Sequence, residues 1–472
     1  MRYAANLTMK FHTINPASGE ALAEYEMATP DAVKAAIEQA RKAFMDWRQL
    51  KPSERGKFLA KAANILRERK EEFARVMTNE MGKIIRESSA EVAKCALGLD
   101  FYAENAERLL TPEPAETDAS KSYVAFDPLG IVAAIMPWNF PMWQIARFSA
   151  PALAAGNTVV FKPASVTPQS GLNLEAAYKE AGLPVGCFKT LLGDSRIADQ
   201  LIEGNTDAVT FTGSVEVGSD VGRRSGTHLK KFVLELGGSD PFVVLKDADI
   251  EFATSGAITG RFINCGQSCI AAKRFIVEKP IADEFIEEFV SKVKKLQVGD
   301  PLAPETDIGP MVRESAVMDL DRQVKESVKK GAEVLVGGHR LDRRGFYYAP
   351  TVLTNVTRYM PVMREEVFGP VAPIAVVTDA EEAVDVANDS EFGLGASLWT
   401  QDLSRAEKLC RKIQSGVVTV NNVVASDPRV PFGGVKKSGI GRELGRYGLL
   451  EFTNVKTIRL YEQRKVKTTV VK

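Results

Sequence analysis

Histidine is scarce: the 472 residues hold only His12, His228 and His339. None of the three lies in a nucleophile motif or at metal-ligand spacing, which disfavours a cysteine–histidine hydrolase and a zinc site. Excess charge of either sign is also missing. The 61 basic and 61 acidic side chains cancel, so nothing in the charge balance points to nucleic acid or to an anionic membrane as a partner. No apolar run is long enough to span a bilayer, and the opening MRYAANLTMKFHTINPASGE has no signal-peptide core. The cysteines (Cys95, Cys187, Cys265, Cys269, Cys410) are odd in number and irregularly spaced. That predicts reduced thiols and a cytoplasmic setting, with no disulfide framework. These absences leave a small-molecule ligand as the expected partner.

The length exceeds what one hydrophobic core usually serves and predicts two large domains. Near the N-terminus, Thr29-Pro30-Asp31 reads as a helix start, and Val33, Ile37, Ala40, Phe44 and Trp47 recur along one face. A second helix opens near Ser53, and helical pattern continues to a stop at Gly82. Residues 111–120 are a polar break, and KSYVAFD behind it alternates like an exposed strand. From residue 131 short apolar runs (IVAAI, TVVF, FKTLL, AVTF, KFVLEL) alternate with stretches of crossover-helix length, the pattern of a doubly wound parallel sheet. A second series (FVVL, RFIV, EVLV, APIAVV, GVVTV) predicts another α/β domain, with a boundary near Gly237-Gly238. The chain ends in VKTIRLY and VKTTVV, which alternate like an edge strand in need of a partner.

Two thiols compete as nucleophile. Cys265 and Cys269 both lie in FINCGQSCIAAKR, after a helical stretch at a Gly-Gln turn, and the local pattern does not separate them. With histidine unsuited as base, a carboxylate of raised pKa is the substitute. Glu235 is the candidate because it closes an apolar strand directly before two glycines. Asn139, in PWNFP, could donate its amide to an oxyanion. FTGSVEVG places Gly213 and Gly218 at a strand-to-helix junction, where a helix N-terminus can meet phosphate. Lys162 ends the strand TVVF, within reach of an adenosine ribose.

PWNFP, FKPASVTP, FTGSVEVG, LELGG, NCGQSC, EEVFGPV and PFGGVKKSG, in this order, resemble the aldehyde dehydrogenase superfamily over nearly the whole chain. The resemblance implies a Rossmann-like cofactor domain (1–110 and 129–236), a catalytic domain (237–436) and a small β oligomerisation arm (111–128 and 453–472) that pairs subunits into a homodimer or homotetramer. It selects Cys269, the cysteine two places after Gly-Gln, as nucleophile. It also implies Glu235 as the base for the water that cleaves a thioester, Asn139 with the Cys269 backbone NH as oxyanion donors, and Lys162 on the adenosine side. Pro137, Trp138, Gly213, Ser214, Gly218 and Leu236 fall to the cofactor, with Glu366 and Phe368 near the nicotinamide ribose. The implied reaction is oxidation of an aldehyde to a carboxylic acid with a nicotinamide dinucleotide.

One position departs from the NAD-preferring pattern. A glutamate commonly stands three residues after the lysine, and this chain has Ser165. A carboxylate there would repel a 2'-phosphate and serine does not, so NADP is the expected cofactor and NAD the alternative. For the substrate, a helix beginning at PWNFP would put Asn139, Trp143 and Arg147 on one face. Arg147 with Ser426 resembles members acting on succinic semialdehyde, although the second arginine usual before the asparagine of FxNxGQ is Ile263 here. Members acting on lactaldehyde or glyceraldehyde share that combination and form the alternative. Transfer of the acyl group to coenzyme A and a non-catalytic relative are the remaining rivals.

Overall fold

The computed structural model describes residues 9–462. The expected strand VKTTVV lies outside them. Two open sheets carry the fold. The first has six strands, with Ile131–Ile135, Thr158–Lys162, Phe188–Thr190, Ala208–Thr212 and Lys231–Glu235 in parallel and Gly439–Ile440 antiparallel at one edge. The chain winds outward from Ile131–Ile135 in one direction and then crosses to Ala208–Thr212 on the other side. The switch point therefore lies between these two strands, where ligands of doubly wound sheets bind beyond the carboxyl ends. Ile131–Ile135, Thr158–Lys162 and Ala208–Thr212 are buried at every position, as a parallel sheet covered on both faces requires.

One cover is built by Pro30–Trp47, Ser195–Glu203 and Val215–Thr227, the other by Pro52–Glu68, Ile85–Leu109 and Trp143–Ala155. Pro30–Trp47 follows its sequence signals. Thr29 Oγ1 accepts from Ala32 N, proline fills the first turn, and Val33, Ile37, Ala40, Phe44 and Trp47 form its buried stripe. Gly82 caps Lys70–Met81 with φ of 81°.

The second sheet has seven strands, ordered Glu333–Val336, Thr351–Thr354, Val371–Val377, Ala272–Glu278, Asp240–Val244, Gly395–Trp399 and Val417–Val420. Its centre is aromatic: Phe242 stacks on Trp399 with centroids 5.0 Å apart and meets Phe275 at the same distance. The expected strand EVLV is an antiparallel, largely exposed edge strand. Two strands lie outside the apolar runs read from the sequence. In Gly395–Trp399 the small residues Gly, Ala and Ser dilute the β-branched signal. Thr351–Thr354 is only four residues long. FKTLL contracts to Phe188–Thr190.

A third sheet pairs Thr453–Leu460 with Lys121–Pro128, which also holds the two-residue strand Glu113–Pro114. The partner that VKTIRLY needs on one side thus comes from its own chain. A hairpin, Lys10–Ile14 with Ala21–Glu26, precedes the first helix, in a region whose sequence reading held only helices. No helix among the described residues is long and apolar enough to cross a membrane.

Candidate active site

Cys269 lies where two cavities meet. One, of about 210 Å³, is walled by Trp143, Arg147, Ile263, Lys94, Ser426 and Phe432 among others. The second, of about 230 Å³, contains Pro137, Trp138, Asn139, Gly213, Ser214, Leu236, Glu366 and Phe368. Cys269 and Gln144 are on the walls of both. The second cavity sits at the carboxyl ends of the six-stranded sheet, beside its switch point, and the first opens from it toward the helices Ile85–Leu109 and Trp143–Ala155.

The turn that delivers Cys269 is strained. Asn264 and Cys265 have φ of 52° and 55°, and Gly266 follows at 71°. A Cβ on Gly266 would come within 2.3 Å of the Gly369 carbonyl oxygen, so this position is closed to other residues. Such backbone costs on the order of 1–3 kcal/mol per residue and persists only where its surroundings enforce it. Here buried Arg261 enforces it, donating to the carbonyls of Gly266, Val367, Gly369 and Ala272. Lys273, also buried, donates to the carbonyls of Ser268 at 2.7 Å and Cys269 at 2.6 Å and stands 3.3 Å from Glu366. Cys265 is buried in the core of the seven-stranded sheet, so the geometry separates the two thiols and leaves Cys269 facing the cavities. Burial pushes the Cys269 thiol up to about 11, with Lys273 and Arg147 pulling against it.

The helix carrying the wall residues begins at Trp143, after PWNFP and not at it. Residues 137–142 form a turn, so Asn139 reaches the site from the turn and not from the helical face it was expected to share with Trp143 and Arg147. A buried ion pair fixes this turn. Lys83 meets Glu91 and donates to the Asn139 carbonyl at 2.8 Å, while Glu91 Oε1 accepts from the backbone N–H of Met142 and Trp143 at 2.9 Å each. Glu91 thereby satisfies the helix start from a different helix. The Asn139 amide donates to the Gln267 carbonyl at 3.1 Å and its oxygen accepts from Gln144 Nε2 at 3.1 Å. One N–H of that amide is left over.

Glu235 is buried at the end of Lys231–Glu235, with no hydrogen bond to either oxygen. Burial, reinforced by Glu443, holds its carboxyl well above the usual range, against the opposing pull of Arg147 and Arg442. It lines neither cavity; its Oε1 packs against Gly433, where an added Cβ would lie 2.6 Å away. Arg147 forms a buried ion pair with Glu443, and its remaining polar contact is a long one to Thr212 Oγ1 at 3.5 Å. Burial would lower the guanidinium, but the Glu443 carboxylate overrides it and holds Arg147 charged.

On the wall of the second cavity, Glu366 Oε1 accepts from Gly238 N at 3.0 Å, and Phe368 meets Trp138 edge-on at 5.8 Å. Ser214 caps Val215–Thr227 through its hydroxyl, leaving that helix N-terminus at the cavity. Gly218 has a different job from the one expected of it. It is one turn into the helix, and a Cβ there would strike Leu236 Cδ2 at 2.2 Å, so it serves helix-to-sheet packing. Lys162 closes its strand beside Ile135, and burial brings its ammonium down to about 8. Ser165 is exposed three residues further on. Neither of these two lines the cavity that contains Trp138 and Phe368. Among the described residues no cluster of His, Cys, Asp and Glu could hold a metal.

Several residues of this site carry no local sequence signal: Lys83, Glu91, Lys94, Arg261, Lys273 and Glu443. Each is a charged side chain inside an ordinary helix, strand or loop, and only tertiary structure brings it in. Glu91 and Lys94, at helical spacing, are the nearest thing to a readable pair.

The sequence profile of the aldehyde dehydrogenase family matches residues 3–458. A probable NADP(+) succinate-semialdehyde dehydrogenase of Synechocystis sp. is 47% identical over 451 residues, 95% of this chain and 99% of that protein. The NADP(+) succinate-semialdehyde dehydrogenase 1 of Mycobacterium tuberculosis is 45% identical over 454 residues, again 95% and 99% of the two chains. Among solved structures, succinic semialdehyde dehydrogenase from Streptococcus pyogenes in complex with NADP+ superposes with a TM-score of 0.93 at 36% identity, covering 96% of this chain and 100% of that one.

Proposed function

This chain belongs to the aldehyde dehydrogenase family, and from that premise we propose that it oxidises succinic semialdehyde to succinate through a thioester on Cys269, with NADP+ as cofactor. The observation that carries the reading is the position of Cys269 at the junction of the two cavities, open to an aldehyde from one side and to a cofactor from the other. The relatives named above support the substrate and the cofactor.

The residues present fit a nicotinamide dinucleotide. The cavity behind Cys269 has a helix N-terminus at Ser214 for phosphate, and Glu366 offers an oxygen beyond the one bonded to Gly238. Pro137, Trp138, Gly213, Leu236 and Phe368 would enclose it, Gly218 letting the helix approach, with Lys162 and Ser165 toward the adenosine. When bound, the dinucleotide supplies the hydride acceptor.

The chain's own residues do the rest. Cys269 Sγ bonds to the aldehyde carbon, and the spare Asn139 N–H and the Cys269 backbone NH hold the oxygen as its charge grows. Because the resting thiol is held near 11, its proton passes to a water in the channel as the sulfur electron pair forms the bond to the aldehyde carbon. Glu235, whose carboxyl burial holds well above the usual range, is in its ionised form a stronger base than an exposed carboxylate and is suited to take a proton from the water that cleaves the thioester. To do so its side chain turns from Gly433 toward Cys269. Trp143, Arg147 and Ser426 line the substrate channel, with the Arg147 charge already balanced by Glu443.

We place the enzyme in the cytoplasm, supported by five free thiols. We assign the sheet of Lys121–Pro128 and Thr453–Leu460 to pairing with a second copy, as a homodimer or homotetramer; Val455, Leu460 and the following Tyr461 are exposed there. A panel of aldehydes against both cofactors, with and without coenzyme A, tests the functional reading. Highest efficiency with succinic semialdehyde and NADP+, independent of coenzyme A, is expected. Preference for lactaldehyde or glyceraldehyde would replace the substrate.

A further inference from the structure

The substrate channel contains a cation without an anion. Lys94, on the helix Ile85–Leu109, reaches the wall of the cavity that holds Cys269. Its Nζ lies 4.8 Å from the centre of the Trp143 ring and donates to Ser426 Oγ at 2.9 Å. Every nearby carboxylate is engaged elsewhere. Glu91 is paired with Lys83, Asp427 with Arg429 at 2.5 Å, and Glu443 with Arg147, while Glu87 accepts from the Asn264 backbone at 2.9 Å. Among the described residues Lys94 forms no ion pair. A largely desolvated ammonium facing an apolar cavity is costly until an anion joins it. Burial, with Arg147 adding repulsion and Glu91 and Asp427 opposing it from a distance, brings it down to about 8.

Ser426 makes the same demand by a separate route. Its hydroxyl oxygen accepts from Trp143 Nε1 at 3.0 Å as well as from Lys94. Both acceptor sites are filled, so the hydroxyl hydrogen remains to be donated. The Lys94 ammonium and the Ser426 hydroxyl thus converge as two donors with no acceptor between them, on the wall of the channel that leads to Cys269.

We propose that Lys94, with Ser426, is the subsite for the substrate's distal carboxylate, doing the work that a second arginine at position 263 would do. This rests on the reading of the substrate as a semialdehyde acid and names the residue that selects it. Charge matters here because Arg147 is already neutralised by Glu443, leaving Lys94 as the cation that a carboxylate entering the channel would complete.

The test compares succinic semialdehyde with butanal, an aldehyde of equal chain length lacking the carboxylate, in wild type, Lys94→Met and Lys94→Arg. Lys94→Met is expected to raise KM for succinic semialdehyde on the order of ten- to a hundredfold more than KM for butanal. Lys94→Arg is expected to recover most of the loss, and inhibition by succinate should weaken in Lys94→Met in parallel. If wild type favours succinic semialdehyde over butanal and Lys94→Met keeps that preference, the carboxylate is held elsewhere and the Lys94 assignment is overturned while the substrate reading stands. If wild type shows no preference, the substrate reading itself fails and takes the subsite with it. Equal loss with both aldehydes would make Lys94 a structural residue and also overturns the proposal.

Discussion

Arg147 and Glu443 form an ion pair with both side chains almost wholly buried, one on the wall of the cavity that holds Cys269 and the other beside Glu235. The pair settles what a guanidinium is doing in a desolvated channel: its charge is met by the protein. It also gives Glu235 two charged neighbours of opposite sign, and the carboxylate of Glu443 is among the causes that hold Glu235 high.

Replacing Glu443 with Gln should therefore do two things. Leaving Arg147 buried without its counter-charge should cost about 3–5 kcal/mol of stability, read as a lower denaturant midpoint. Because Glu443 raises Glu235, its removal should lower the Glu235 pKa. Glu235 would then lose its proton at lower pH, and the rising limb of the deacylation pH profile should move in the acid direction. A limb that stays in place would separate the two carboxylates.

The two thiols of NCGQSC are expected to behave oppositely. Cys269→Ala should abolish reduced-cofactor formation. Cys265→Ala, in the core and away from both cavities, should keep most of it with some loss of thermal stability. Comparable loss of turnover in both folded variants would undo the assignment.

Glu235→Gln should leave acylation nearly intact and slow deacylation. Rapid mixing should then show a burst of reduced cofactor followed by a much slower steady state. A burst that disappears in proportion to turnover would give Glu235 a part in the first half-reaction too.

Ser165 governs cofactor choice if a carboxylate at that exposed position would face a 2'-phosphate. Ser165→Glu should shift the ratio of catalytic efficiencies toward NAD+ by roughly five- to a hundredfold, corresponding to about 1–3 kcal/mol of charge repulsion. An unchanged ratio would place the 2'-phosphate away from this loop.

Much of the architecture was legible because it is written in local periodicity. The buried stripe of Pro30–Trp47 and the largely apolar strands of the six-stranded sheet announce themselves in short windows of sequence. Strands such as Gly395–Trp399 did not, because a central strand flanked by two others can be built from small residues whose burial comes from neighbours distant in sequence. The site divides the same way. Cys269, Asn139 and Glu235 sit in motifs with a readable shape, whereas Lys94 and Glu443 act through partners on other elements. The helical spacing pointed Arg147 toward the cavity that holds Cys269, but gave no sign of Glu443, which meets its charge. Gly218 shows the converse: a glycine in a suggestive motif that also has a packing reason, Leu236 just past the end of Lys231–Glu235.

The most direct test of the account is to trap its covalent intermediate. Glu235→Gln protein mixed with succinic semialdehyde and NADP+ should be quenched in acid after the burst and its peptides analysed by mass spectrometry. The account predicts one succinyl group per active site on the peptide containing Cys269, located on that residue and not on Cys265, in an amount equal to the NADPH formed. NADPH formation without any acyl group on Cys269, or an acyl group on another residue, would contradict it.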